Sequence, residues 1–227
     1  MKRLYQLPKL IQWIIALILI VVGFGAIMPL LRKPYSLLLL PILAPFLNFV
    51  SVPFLRLIGY YKYLNPYVIS TVQTDKQYDL HNIFTFDYLV NFKWSNRGKY
   101  AQRILLGHYF KALITIIERI ESGQLSSKVK IVGHSYFFNN RTAEKLGFTI
   151  TNASSFWVLN SAVQFIELSY LYSFSKGKWA LPKFWKVKRA EITGSDLVTK
   201  KEILEELARK ILSKQHYKKK SVKATVR

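Results

Sequence analysis

Cysteine is absent from the 227 residues, which excludes disulfides, thiolate metal sites and thiol catalysis and fits a reducing compartment. Acidic residues are scarce: 12 aspartates and glutamates stand against 34 lysines and arginines, a formal charge of +22. A surface of that sign repels cations and attracts phosphates, whether on lipids, nucleic acids or small metabolites. There is no internal repeat, no histidine pair at the spacing of a helical zinc site, and no recognisable nucleic-acid reader motif. Charge is missing altogether from Leu10 to Leu31, LIQWIIALILIVVGFGAIMPLL.

That uncharged run organises the chain. As a helix it spans about 33 Å, more than a hydrocarbon core of about 30 Å. Its apolar core exceeds the roughly 7 to 15 residues of a cleaved signal peptide, so it is expected to be retained. A second apolar run, Ser36 to Leu55, carries Asn48 and three prolines, Pro41, Pro45 and Pro53. Its length suits a second crossing, since prolines are tolerated in membrane helices. The competing arrangement is a kinked or re-entrant segment, because those prolines remove backbone hydrogen bonds. A hairpin is the simpler expectation. Lys2, Arg3 and Lys9 precede the pair and Arg56, Lys62 and a basic remainder follow it, with Arg32 and Lys33 in the turn. The positive-inside rule then sets both termini and the main domain in the cytoplasm. Arg56 to Tyr63 mixes tyrosines with bases and is expected to lie along the membrane surface.

The fold class expected is α+β: an N-terminal transmembrane helical hairpin (residues 1–59, with apolar segments 10–31 and 36–55), a small basic globular domain (60–213) and a basic disordered tail (214–227). Tyr67 to Thr74 alternates and predicts a strand. Asp75 to Asn82 is a polar break; its Asp75, Asp79 and His81, with Asp87, are metal-type donors without a metal spacing, so loop chemistry and no metal is expected. Ile104, Leu105, Tyr109, Leu113, Ile116, Ile117 and Ile120 predict an amphipathic helix over Lys99 to Gln124, stopped at Gly123. Lys128 to Phe138 predicts a buried strand and Thr142 to Leu146 a short helix before Gly147. Ser154 to Phe174 suits one helix with Glu167 its lone acid. Thr199 to Glu202 fits a capping box, opening a helix to about Ser213.

Four stretches carry the candidate chemistry. Asp79, His81 and Ser135 are the candidate catalytic groups, and Arg97 and Arg141, each beside a predicted helix start, are candidate anion binders. Lys176 to Arg189 interleaves Trp179, Phe184 and Trp185 with bases, of which Lys183, Lys186, Lys188 and Arg189 are the expected anion contacts. Bases hold phosphates while flat rings stack on nucleobases or settle among headgroups. With an apolar anchor already present, the lipid partner is the more economical one.

Two partial resemblances add to this reading. Gly133-His134-Ser135 after a strand resembles the nucleophile elbow of α/β-hydrolases, which implies Ser135 as nucleophile with Asp196 and His216 as partners, although Phe137 stands where that family has glycine. Over Phe92 to Phe148 the chain resembles the GNAT acetyltransferases. Asn96-Arg97-Gly98-Lys99-Tyr100-Ala101 before a helix looks like that family's arginine-glycine loop, and Asn140, Ala143 and Lys145-Leu146-Gly147-Phe148 look like its closing segment. The resemblance implies acetyl-CoA, its pyrophosphate cradled by backbone N–H groups at the helix N-terminus; Tyr100 stands where that loop has glycine. The expected function is therefore an integral membrane protein whose basic, aromatic domain binds anionic lipid headgroups, or a phosphate-bearing small molecule, with a membrane-tethered acyl-CoA-dependent transferase as the alternative and nucleic acid not expected.

Overall fold

Apolar and polar residues alternate along six short segments, and these pair into one sheet. They are Lys62–Asn65 (β1), Val68–Gln73 (β2), Gln77–Asn82 (β3), Lys130–Ser135 (β4), Thr149–Asn152 (β5) and Lys188–Thr193 (β6). The computed structural model describes residues 4–34, 36–74, 76–92, 96–135 and 140–224. The sheet order is β1-β2-β3-β4-β6-β5. β1, β2 and β3 form an antiparallel meander, β3 and β4 run parallel, and β6 lies antiparallel between β4 and β5. A parallel pair needs a crossover. Helices Thr85–Asn91 (α3) and Lys99–Glu121 (α4) supply it.

One face of the sheet supplies Tyr78, Leu80, Ile131 and Ile192 to the main core, where Leu113, Ile116 and Ile117 of α4 meet them. Leu197 of Gly194–Val198 (α8) and Leu204 of Lys201–Ala224 (α9) complete that cluster. The helix α9 was expected to end near Ser213; it continues to Ala224. A second cluster joins Ile69, Ile83, Tyr88, Phe92, Ile104 and Phe174. The segment Ser154 to Phe174, expected as one helix, is two, Ser155–Val163 (α6) and Phe165–Lys176 (α7), meeting at Gln164. Asn140–Lys145 (α5) precedes Gly147, whose φ of 83° is the left-handed stop that the sequence predicted.

In one segment burial overrides polarity. Gln77–Asn82 was expected to be a loop, yet Tyr78 and Leu80 are buried on one side while Asp79 and His81 take the other, so the six residues form a strand. Asp75 lies outside the described residues. Arg56 to Tyr63 was expected on the membrane surface. It ends one helix and opens β1, with Tyr63 turned into the body and Ile58 and Tyr60 exposed.

Lys9–Leu31 (α1) is the one helix among the described residues long and apolar enough to cross a membrane. Leu40–Leu57 (α2) packs on it where Gly23 meets Val50; a Cβ on Gly23 would lie 2.8 Å from that side chain. Trp13 also meets Phe54 edge-on at 5.8 Å. However, α2 is shorter as an apolar helix and spends a face on the body, so the expectation of two crossings is supported for α1 alone. Phe49 packs against Phe86 at 5.2 Å, and Val52 is fully buried with Phe86 and Val90.

Two buried carboxylates tie this apolar pair to the body. Tyr5 and Tyr63 each donate a phenolic hydrogen bond of 2.6 Å to Asp87, whose side chain is fully buried. Arg56 approaches the same carboxylate at 3.8 Å, with the Tyr5 and Tyr63 rings 3.6 and 3.9 Å from its guanidinium carbon. Burial pushes the Asp87 carboxyl up, against the opposing pull of the two phenols and Arg56. Glu167 accepts from the Thr85 backbone N–H and hydroxyl, both at 2.9 Å, and from Asn48 of α2 at 3.3 Å. Breaking such a pair strands the partner charge. Asp87→Ala is expected to cost about 3–5 kcal/mol and Tyr63→Phe about 1 kcal/mol, read as melting temperatures of the full chain in detergent. Equal melting temperatures for wild type and Asp87→Ala would contradict the docking role.

Candidate functional site

β3 and β4 pair from Gln77↔Lys130 to Leu80↔Gly133 and then part. Both strands nevertheless continue, β3 with Asn82 beside Val68 and β4 with Ser135 beside Lys188. The first residues past the last shared pair are His81 and His134. In open α/β sheets ligands bind beyond the carboxyl ends of strands where connections diverge. This gap is such a place. Trp157 of α6 covers it, stacked on His134 with ring centroids 3.9 Å apart and lying 5.7 Å from His81.

Beside the stack is a cavity of about 400 Å³ lined by His134, Thr151, Asn152, Ser154, Trp157, Arg189 and Glu191. The pairing of β6 with β4 and β5 sets Arg189 opposite His134 and Thr151, so three strands converge there. Arg189 Nη2 donates to Glu191 Oε2 at 2.7 Å, and Lys130 Nζ lies 3.9 Å from the other carboxylate oxygen. Both ring nitrogens of His134 and the Nε of Arg189 are buried without a hydrogen-bond partner. Burial, the nearby His81 and Arg189 push the His134 pKa down to about 4, against the pull of Asp79. His81 is likewise lowered by burial, against Asp79. Near neutral pH His134 is therefore an uncharged ring with one donor and one acceptor nitrogen.

A larger groove of about 770 Å³ runs between α4 and α9, lined by Tyr100, His108, Lys111, Glu118, Glu205 and Arg209 among others. Its charges are mixed, so the smaller cavity holds the more specific chemistry. Among the described residues no three carboxylate or imidazole groups gather as a metal site requires.

The expected site residues divide accordingly. Asp79 and His81 do sit at the gap, with Asp79 accepting from Gln77 at 2.7 Å. Ser135 ends β4, but its side chain and that of Arg141 on α5 lie outside the described ones, as does Phe137. Asp196, the acid of the hydrolase-like reading, is instead engaged with Thr193 in capping α8, taking its hydroxyl at 2.6 Å. Lys183 and Lys186 are exposed around the 3₁₀ turn Phe184–Lys186, whereas Lys188 and Arg189 belong to β6. Arg189, expected to bind anions, is paired with Glu191.

Arg97 is exposed before α4, but the loop that resembles a pyrophosphate cradle does not fit that group. The Gly98 N–H donates to the Phe174 carbonyl at 2.8 Å. A Cβ on Gly177, at the left-handed end of α7, would lie 2.9 Å from Gly98 Cα. The glycine pair thus lets two helix ends approach each other, filling the loop from within the protein. No family model, curated protein or solved structure matches the chain.

His134, Thr151, Asn152, Trp157 and Glu191 were not singled out by the sequence. His134 stood inside the Gly-His-Ser motif, but only strand register shows that it, not Ser135, meets Arg189. A histidine whose folded pKa is lowered binds fewer protons than in the unfolded chain, so its contribution to stability is present above the unfolded pKa and is lost on acidification. Stability is expected to fall as pH drops from 6.5 toward about 4, with His108 also lowered to about 4 and contributing. Melts across that range should show a shallower slope for His134→Gln than for wild type; an identical slope would rule out a buried, neutral His134.

Proposed function

We propose that this chain is a membrane protein whose basic, aromatic surface binds anionic lipid headgroups at the cytoplasmic face. One observation carries the reading: large apolar side chains are left in solvent outside α1, on α6, which adjoins α2, and on the segment after α7 that packs on α6. Phe156 is 70% and Leu159 65% exposed on α6, and Trp179, Leu181 and Trp185 are 79%, 54% and 58% exposed on the segment that follows α7. The helix α6 packs both on α2 and on the turn Phe184–Lys186, which makes these groups an extension of the apolar anchor. Extended apolar patches mark surfaces that meet a partner or a membrane.

Lys176, Lys178, Lys183 and Lys186 run among those rings. Tryptophan favours the headgroup level, and each base near an anionic leaflet adds about 1 kcal/mol. Tyr5 before α1 and Arg56 near the end of α2 meet on Asp87, which favours both ends of the apolar pair on one side. In this reading α1 enters the bilayer and α2 brings the chain back, with Arg32 and Lys33 at the far turn and Lys9 beside the basic body. The positive-inside rule supports the cytoplasm for that body.

The acyl-CoA-dependent transferase has in its favour the parted ends of β3 and β4. Against it stands the Gly98 loop, whose amide is already used, so no acyl transfer is derived.

Limited trypsin digestion of the full chain in lipid nanodiscs tests the headgroup reading. Cleavage at Lys176 to Lys186 is expected to be slower on phosphatidylserine-containing discs than on zwitterionic ones, and the difference to vanish near 1 M salt, where screening acts within about 3 Å. Trp179→Ser combined with Trp185→Ser is expected to restore cleavage. Equal rates on both discs at low salt would overturn the proposal.

A further inference from the structure

We propose that the cavity between β4, β5, β6 and α6 binds a neutral, hydroxyl-rich ligand, a sugar or other polyol, against Trp157 and the side chains of His134 and Arg189. The inference is independent of the headgroup reading, which rests on the outer surface of α6 and the segment after α7. Its first support is the orphaned chemistry: both His134 ring nitrogens and Arg189 Nε are buried and unpartnered. A buried donor or acceptor left unmade costs about 1–3 kcal/mol, and the three belong to His134 and Arg189, which line one small volume. The fold tolerates these groups without satisfying them. A bound molecule would.

Charge selects among molecules. The guanidinium of Arg189 is matched by Glu191 at 2.7 Å, and Glu191 is shared with Lys130 at 3.9 Å. An anion would have to sit beside that carboxylate, and a cation would compete with two bases already on it. His134, uncharged, offers one donor and one acceptor, and a hydroxyl group is the neutral function that answers both. Thr151, Asn152 and Ser154 add further groups of the same double character around the cavity. Trp157 supplies the flat apolar wall that the C–H face of a sugar ring requires, and about 400 Å³ is the size of a small-molecule site. Purely apolar ligands are excluded by the unpaired nitrogens.

The two sources of such a ligand, a free sugar and the sugar headgroup of a glycolipid, share this chemistry. Both are probed with the full chain in phosphatidylcholine nanodiscs, free of sugar detergents. The readouts are saturation transfer from protein to methyl glucoside or myo-inositol, and the imidazole NMR signals of His134 on adding each polyol, inorganic phosphate, or a glucosyl lipid placed in the disc. Polyol or glucosyl lipid is expected to shift the His134 signals while phosphate does not. A response to the lipid alone identifies a membrane source, and one to methyl glucoside as well identifies a soluble one. His134→Phe, which keeps a ring against Trp157, should weaken binding by about tenfold. Thr151→Val on the exposed edge strand should weaken it as well, without a change in melting temperature. Shifts produced by phosphate but by neither polyol nor glucosyl lipid, or no response to any polyol or to the glucosyl lipid with a folded chain, would overturn the proposal.

Discussion

Two carboxylates out of reach of water hold this protein together across its most awkward boundary. A chain that begins with a long uncharged helix and continues into a strongly basic body has no electrostatic reason to keep the two parts in contact. Asp87 and Glu167 supply one. Each sits where an element of the apolar pair meets α3 or α7, and each is satisfied by several donors rather than by one cation. A buried carboxylate is costly unless it is so surrounded, and that cost makes the docking geometry specific. Arg56 is held by the same site through its charge and through two aromatic faces, so the end of α2, the start of β1 and the residues before α1 are bound to one point.

That docking determines what the other elements can do. Because α2 uses one face for α3 and α7, the apolar groups of α6 are left outward beside it, and the basic segment after α7 follows. The same α6 turns Trp157 inward over the parted ends of β3 and β4. One short helix therefore joins the apolar exterior to the polar cavity, with Phe156 outward and Trp157 inward on successive residues. The close approach of Gly98 and Gly177 locks the end of α7 against the start of α4, and in doing so it occupies the loop that resembles a phosphate cradle.

The sheet explains why the polar groups of the interior are concentrated where they are. β3, β4 and β6 each give alternate residues to the main core, and the residues between them, Asp79, His81, His134, Arg189 and Glu191, fall on the other face. There the parallel pairing stops early and the antiparallel pairing does not, so backbone polarity is satisfied on the outer sides while side chains are left around a gap. Burial lowers the pKa of both imidazoles there and keeps His134 neutral in a molecule that is otherwise dominated by positive charge.

Local patterns made much of the architecture legible. The uncharged run marks α1 by length alone, the three- and four-residue spacing marks α4, the alternation after Pro66 marks β2, and glycines after α4 and α5 mark their ends. These features depend on residues within one element, which is why one sequence is enough to read them. The strand β3 was hidden by its polar half, α3 carried no strong periodicity, and the polar contacts that dock α2 on the body are made by side chains more than a hundred residues away. Composition by itself determined that an apolar segment precedes a basic, cysteine-free body, since hydrophobicity and charge are additive properties of residues. Only tertiary structure decided which carboxylates are buried, that Arg189 faces Glu191 and His134 faces Trp157, and that the glycine loop is filled, because each of these is set by strand register and helix packing between segments that share no local signal.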